Sequence, residues 1–198
     1  MNTDVPKINY QKKLDDILVK ISSSDHFPSL ILHSCCGPCS SYVVTYLKDY
    51  FNITVFYYNP NIFPEEEYIH RLSEQKRLLN ELGVRLLEAE YDHQVFLDAV
   101  KGLESEPEGG KRCEKCFMLR LSETEKKARE LGFDYFCTTL TVSPHKNAII
   151  INNTGEALSG DVIWLPSDFK KRDGYKKSIQ ISKEYNLYRQ DYCGCEFA

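Results

Sequence analysis

Seven of the chain's eight cysteines fall in three tight groups: Cys35, Cys36 and Cys39; Cys113 and Cys116; Cys193 and Cys195. Thiolates two or three residues apart can close on one soft metal centre, which lone cysteines cannot do. A chain of this kind must fold so that remote segments converge. No apolar run approaches the ~18 residues of a membrane span. Residues Met1 to Lys7 lack the hydrophobic core of a signal peptide, so no membrane association and a cytoplasmic location are expected. Thiols stay reduced there, which favours metal binding or redox chemistry over structural disulfides.

The 198 residues, 42% hydrophobic and 27% charged, are enough to bury a core in a single soluble unit without crosslinks. A net charge of −4 excludes the global positive field of non-specific nucleic-acid binders. The charge is uneven, however. Residues 169–189 hold seven Lys/Arg against Asp173 and Glu184, with three tyrosines interleaved. Within that run, Lys170, Lys171, Arg172, Lys176 and Lys177 form a candidate phosphate-facing patch. A solvated helix face is the plainer alternative.

Ser29–His33 reads as a short buried strand ending at the first cysteine group, and Pro38 suits the first turn of a helix after it. Residues 51–58 form a second strand and Glu65–Leu82 an amphipathic helix stopped by Gly83. Residues 84–88 are a third strand. After a loop over 102–112, Cys113 opens a helix to about Leu131, and residues 133–138 are a fourth strand. This alternation predicts an α/β fold: a Rossmann-like parallel sheet with helices on both faces. An N-terminal helix near residues 9–22 and a basic C-terminal helix flank it. Residues 1–28 form a helical extension, and residues 29–198 a single α/β domain. Ligands in such sheets gather beyond the carboxyl ends of the strands. There Cys35 and Cys36, at a strand end, can meet Cys113 and Cys116, at a helix start. Both helix N-termini favour thiolate over thiol.

Cys35, Cys36, Cys113 and Cys116 supply the four thiolates of a [4Fe-4S] cluster or a tetrahedral zinc site. Neighbouring side chains diverge, so the adjacent pair suits zinc poorly and the separated corners of a cluster better. Cys39 is a spare thiol that either holds a second metal or fills space. A disulfide across Cys193-Gly194-Cys195 closes a strained, easily reduced ring. This points to a two-electron relay, with inert thiols or further ligands as alternatives. Cys137 and His33 read as core residues. His145, beyond the fourth strand, is placed to protonate a leaving oxygen or simply to cap and pack.

The strings His-Ser-Cys-Cys-Gly-Pro-Cys (33–39), Tyr-Asn-Pro-Asn-Ile-Phe-Pro-Glu-Glu-Glu-Tyr (58–68), Glu-Pro-Glu-Gly-Gly-Lys-Arg-Cys-Glu-Lys-Cys-Phe (106–117), Thr-Thr-Leu-Thr-Val-Ser-Pro-His-Lys-Asn (138–147) and Tyr-Arg-Gln-Asp-Tyr-Cys-Gly-Cys (188–195) resemble the QueH family of epoxyqueuosine reductases. The resemblance spans nearly everything after about residue 28. It implies an adenine-nucleotide hydrolase-like sheet and the reduction of epoxyqueuosine to queuosine at the tRNA wobble position, the last step of queuosine biosynthesis. It also implies a [4Fe-4S] cluster on Cys35, Cys36, Cys113 and Cys116, a redox-active disulfide between Cys193 and Cys195, and an adjacent mononuclear iron. For that iron, Cys39 is the nearest candidate ligand on our own reading. The implied partners are a tRNA carrying epoxyqueuosine and an electron donor. The basic patch would then hold the tRNA backbone. The rivals are a tRNA thiolase-like enzyme, which needs an ATP-binding loop not found here, and a non-enzymatic zinc or iron–sulfur redox sensor.

Overall fold

Period-two burial organises the sheet. β1 (Ser29–His33) turns Leu30 and Leu32 to one face and Ile31 to the other, as a strand covered on both sides requires. The computed structural model describes residues 8–198; the first seven residues of the expected N-terminal extension lie outside them. β2 (Asn52–Tyr57), β3 (Arg85–Glu88), β4 (Tyr135–Thr138) and β5 (Ile163–Trp164) complete an all-parallel sheet ordered β3-β2-β1-β4-β5. The register pairs Leu32 with Val55 on one side and with Cys137 on the other, and His33 with Thr138. The chain runs outward from β1 in both directions, so the topological switch point lies between β1 and β4, where ligand crevices form in such sheets.

Helices α1 (Tyr10–Ser22), α2 (Gly37–Leu47), α3 (Glu65–Leu82) and α7 (Gly174–Glu184) cover one face. Their share of the core includes Leu14, Leu18, Val43, Leu47 and Leu79, with Ile181 packed against it. α5 (Lys111–Leu131) and α6 (Ala148–Leu158) cover the other through Phe117, Leu121 and Ile151. The short α4 (His93–Val100) buries Phe96 and Val100 beside Cys116. Cap chemistry sets several boundaries. Gly83 and Gly132 close α3 and α5 in the left-handed conformation, which glycine adopts without steric cost. Glu65, Glu66 and Glu67 complement the positive end of α3.

The sheet has one strand more than the four expected. β5 is two residues long, too short for alternation to register in sequence. α4 and α6 have no counterpart among the expected elements, and α5 starts at Lys111, two residues before Cys113. Gly155 lets α6 lie against β5, since a Cβ there would fall 2.1 Å from Trp164 Cδ2.

Candidate metal centre and substrate cavity

β1 delivers the chain to Ser34, whose carbonyl accepts from Asn59 Nδ2 at 2.8 Å. The Ser34 and Ser40 hydroxyls both donate to Gln75 Oε1 at 3.0 Å. This buried polar knot fixes the turn between β1 and α2. Cys36 is the N-cap of α2 in extended conformation and makes no side-chain cap bond. The bend from strand into helix brings the adjacent thiols together rather than apart. Cys35 and Cys36 Sγ are 3.8 Å from each other, and with Cys39 all three sulfurs lie within 4.8 Å. The expectation that neighbouring side chains diverge does not hold at this bend, where Cys36 leaves the strand to cap α2.

Of the three thiols, Cys35 is the one favoured as thiolate. Its thiol is drawn well below the ordinary range, first by hydrogen bonds from Cys36 and Cys39 and then, against the cost of burial, by the Arg120 charge. Cys36 is pushed up to about 12, chiefly by its bond with Cys35. Cys39 is raised as well, again through its bonds to the neighbouring thiols.

Cys113 and Cys116 stand outside that trio, on the first turns of α5. Gly109 N–H donates to Cys113 Sγ at 3.2 Å. Cys116 is buried beside Phe96 and Val100, with Cys195 and Phe197 packed on the same cluster. Burial pushes its thiol up to about 11, eased by Arg120 and reinforced by Cys193, Cys113 and Cys195. Arg120 links the two sulfur groups. Burial lowers its basicity, but the charges of Cys116, Cys35, Cys193 and Cys113 raise it overall.

The C-terminal tail is strapped across the site by backbone bonds. Phe63 N–H donates to Gly194 O at 2.8 Å, Arg71 Nη1 to Cys193 O at 3.1 Å, and Arg112 Nη2 to Phe197 O at 2.8 Å. Gly194 has φ +90°, and a Cβ there would meet the Arg71 guanidinium at 3.0 to 3.2 Å. Glycine between the two cysteines is thus a requirement of the strap. Cys193 and Cys195 carry free thiols.

These elements enclose a cavity of about 480 Å³ at the switch point, lined by Cys35, Cys36, Cys39 and Cys193 together with Arg71, Arg120 and Lys146. His145 stands exposed on its rim. Tyr175 also lines it and lies under Arg189, whose guanidinium carbon is 5.2 Å from the ring centroid. Of the basic patch, Lys170 is held by Asp168 at 2.7 Å and Arg172 by Asp15. Lys171, Lys176 and Lys177 are exposed and make no ion pair among the described residues. His33 is wholly buried between Thr138 Oγ1 (2.8 Å) and Tyr58 O (3.2 Å), and burial holds it neutral, with a pKa of about 3. Cys137 is likewise a core residue.

The donor set suits a soft, negatively charged metal group. Several thiols converge, and two buried guanidiniums line the same cavity with N–H groups that lack a protein partner, Arg71 Nη2 and Arg120 Nε; Arg112 Nε, on the tail side, is unpartnered as well. Unpartnered buried donors are costly, and an anionic sulfur group bound in the cavity would satisfy them. Sequence reasoning misses the arginines and Lys146. The one trace in sequence is spacing: Arg112, Cys116 and Arg120 recur every four residues, which places two arginines on the buried face of α5.

A family model described as "Epoxyqueuosine reductase QueH" matches residues 30–198. Proteins of that name share 44% identity in Staphylococcus epidermidis (97% of this chain, 85% of the relative). The value is 43% in Streptococcus pyogenes serotype M1 (97% and 78%) and 36% in Haemophilus influenzae (97% and 80%). Among solved structures, the U34-tRNA thiolase NcsA from Methanococcus maripaludis with its [4Fe-4S] cluster superposes with TM-score 0.59 at 12% identity, covering 100% of this chain and 75% of that one. That likeness shows a shared fold, the adenine-nucleotide hydrolase-like sheet.

Proposed function

This chain belongs to the epoxyqueuosine reductase QueH family, and we propose how its own residues carry out that reduction on tRNA. It is an oxidoreductase of queuosine biosynthesis. Turning an epoxide into an alkene consumes two electrons and two protons and releases water. The observation that carries the reading is the cavity at the β1/β4 switch point. It gathers cysteines from two remote segments, Cys35, Cys36 and Cys39 with Cys193, beside buried arginines.

An iron–sulfur group of the [4Fe-4S] type, held by Cys35, Cys36, Cys113 and Cys116, would supply single electrons and Lewis-acidic iron. Cys39, in contact range of Cys35 and Cys36, is the thiol available to an adjacent iron. Arg120 and Arg71 balance the negative charge and keep it in a dry site. The strapped Cys193–Cys195 pair stores two electrons as two thiols. The modified base leaves the anticodon stack to enter the cavity. Tyr175, with Arg189 over its ring, offers a stacking platform at the entrance. Lys171, Lys176 and Lys177 lie on and just before α7, beside that entrance, where they can track the phosphate backbone.

The test is anaerobic purification, iron and sulfide analysis, and incubation with epoxyqueuosine-containing tRNA followed by nucleoside mass analysis. About four irons per chain for the cluster, or about five with the adjacent iron, and conversion to queuosine are expected. Colourless protein carrying one zinc and giving no queuosine would replace this reading with the metal-sensor one.

A further inference from the structure

The two tail cysteines face different surroundings. Cys193 opens on the cavity, and its sulfur lies 3.3 Å from Lys146 Nζ. Cys195 packs against the apolar cluster of Phe96, Val100 and Cys116. Lys146 is itself largely enclosed, with 11% of its side chain exposed, and Nζ donates to Glu108 Oε1 at 2.8 Å. An ammonium wedged between a carboxylate and a sulfur is not a surface lysine that happens to point inward.

We propose that Lys146 is the proton carrier of the Cys193–Cys195 pair, holding Cys193 as a thiolate in the reduced enzyme and releasing its proton when the disulfide closes. This rests on the reductase reading above. Before the reaction one proton sits on Lys146 Nζ and one on Cys195 Sγ, while Cys193 is a thiolate. Closing the S–S bond releases two electrons from the sulfurs. Lys146 and Cys195 then give up one proton each, the two C–O bonds of the epoxide break, and the products are the alkene, water, the disulfide and a neutral Lys146 amine. Atoms and charge balance with no further reactant.

The geometry couples the two releases. The charged groups nearest Nζ are Glu108 from the loop before α5 and Cys193 from the tail, and the cavity wall adds His145, Asp191, Arg71, Arg120 and Arg189 with the Cys35, Cys36 and Cys39 thiols. Burial opposes the ammonium, and the Cys193 and Glu108 charges more than offset that. Disulfide formation removes the thiolate charge and leaves the burial. The lysine therefore becomes a stronger acid once the electrons have left, when the departing oxygen needs a proton.

The experiment reads the sulfur, not turnover, so its outcome is separate from whether the tRNA is reduced. In anaerobically purified Cys195→Ser protein, where Cys193 cannot pair with its neighbour, iodoacetamide alkylation of Cys193 is followed against pH by peptide mass. Lys146→Met should slow alkylation about tenfold at neutral pH and move its midpoint up by at least about one pH unit. Lys146→Arg should restore the midpoint. Glu108→Gln, on a surface loop, covers the case in which Lys146→Met does not fold. Removing that carboxylate commits Lys146 to the sulfur and should lower the midpoint. A midpoint that stays in place in either folded variant overturns the proposal.

Discussion

Arg120 is 2% exposed on α5, one turn beyond Cys116, with Nη1 on Asn59 Oδ1 at 3.2 Å and Nε without a partner. A guanidinium in that position faces the sulfurs of Cys116 and Cys35, and its charge in turn lowers the thiols of both. Removing one side of such a pair leaves the other buried and uncompensated, which costs on the order of 3 kcal/mol. Arg120→Met is therefore expected to lower stability by about that much in urea unfolding and to weaken iron retention. Arg120→Lys should recover most of the iron, because the charge is kept while the bond to Asn59 is lost. Unchanged iron content in the Met variant would show that the thiols need no counter-charge. From sequence alone Arg120 resembles any helix arginine with charged residues nearby. Only its four-residue spacing from Cys116 hints at a buried role. The cysteines are legible because clustered thiols have few other uses in a chain of this composition, whereas arginine has many.

At the scale of elements, the tail after α7 has no regular structure of its own and depends on side chains that catch its backbone. Glu74 Oε2 accepts from Tyr188 N–H at 2.7 Å, and Arg77 bonds the Tyr185 and Asn186 carbonyls. Bonds from Arg77 and from the Tyr188 amide hold the Glu74 carboxyl below its ordinary value of 4.5. A carboxyl depressed in the folded state stabilises above the unfolded value, and that contribution is lost as pH falls through the folded one. Tail anchoring should therefore be complete at neutral pH and weaken below about pH 4.5. Glu74→Gln should loosen the tail at neutral pH as well, by about 1–2 kcal/mol. Hydrogen exchange at the Tyr188 amide checks both, and equal protection in the variant would remove Glu74 from the anchor.

Elements are legible where local chemistry announces them, as at the Gly83 and Gly132 stops. α6 is not, because Ile149, Ile150 and Ile151 are β-branched and favour strands. Asn147, which accepts from two backbone N–H groups, and the close fit of Gly155 against Trp164 decide it instead.

For the whole molecule the question is how a chain of net charge −4 receives a polyanion. On the reading proposed above the basic stretch would answer it locally, and among the described residues the structure separates paired cations from unpaired ones. Lys170 and Arg172 are engaged by Asp168 and Asp15, whereas Lys171, Lys176 and Lys177 are exposed. Reversing those three to Glu should weaken tRNA binding and flatten the log–log salt dependence by about 2 units, since each phosphate left unneutralised on a single-stranded loop lowers the slope by ~0.7. Lys170→Glu should change it less. Equal slopes for the triple variant and the parent would move the tRNA elsewhere on the surface. No helix among the described residues is long and apolar enough to cross a membrane.

What the sequence determined by itself was the α/β alternation through the first four strands, the placement of sulfur at their ends, and the family. Each depends on residues close together in the chain: burial periodicity, turn chemistry and motif spacing. Tertiary structure alone decided that the adjacent Cys35 and Cys36 thiols converge, that Arg71 and Arg120 line the cavity beside them, and that Lys146 meets Cys193. The partners in those contacts are set by the crossing of segments around a switch point, and burial then turns an ordinary surface cation into a counter-ion.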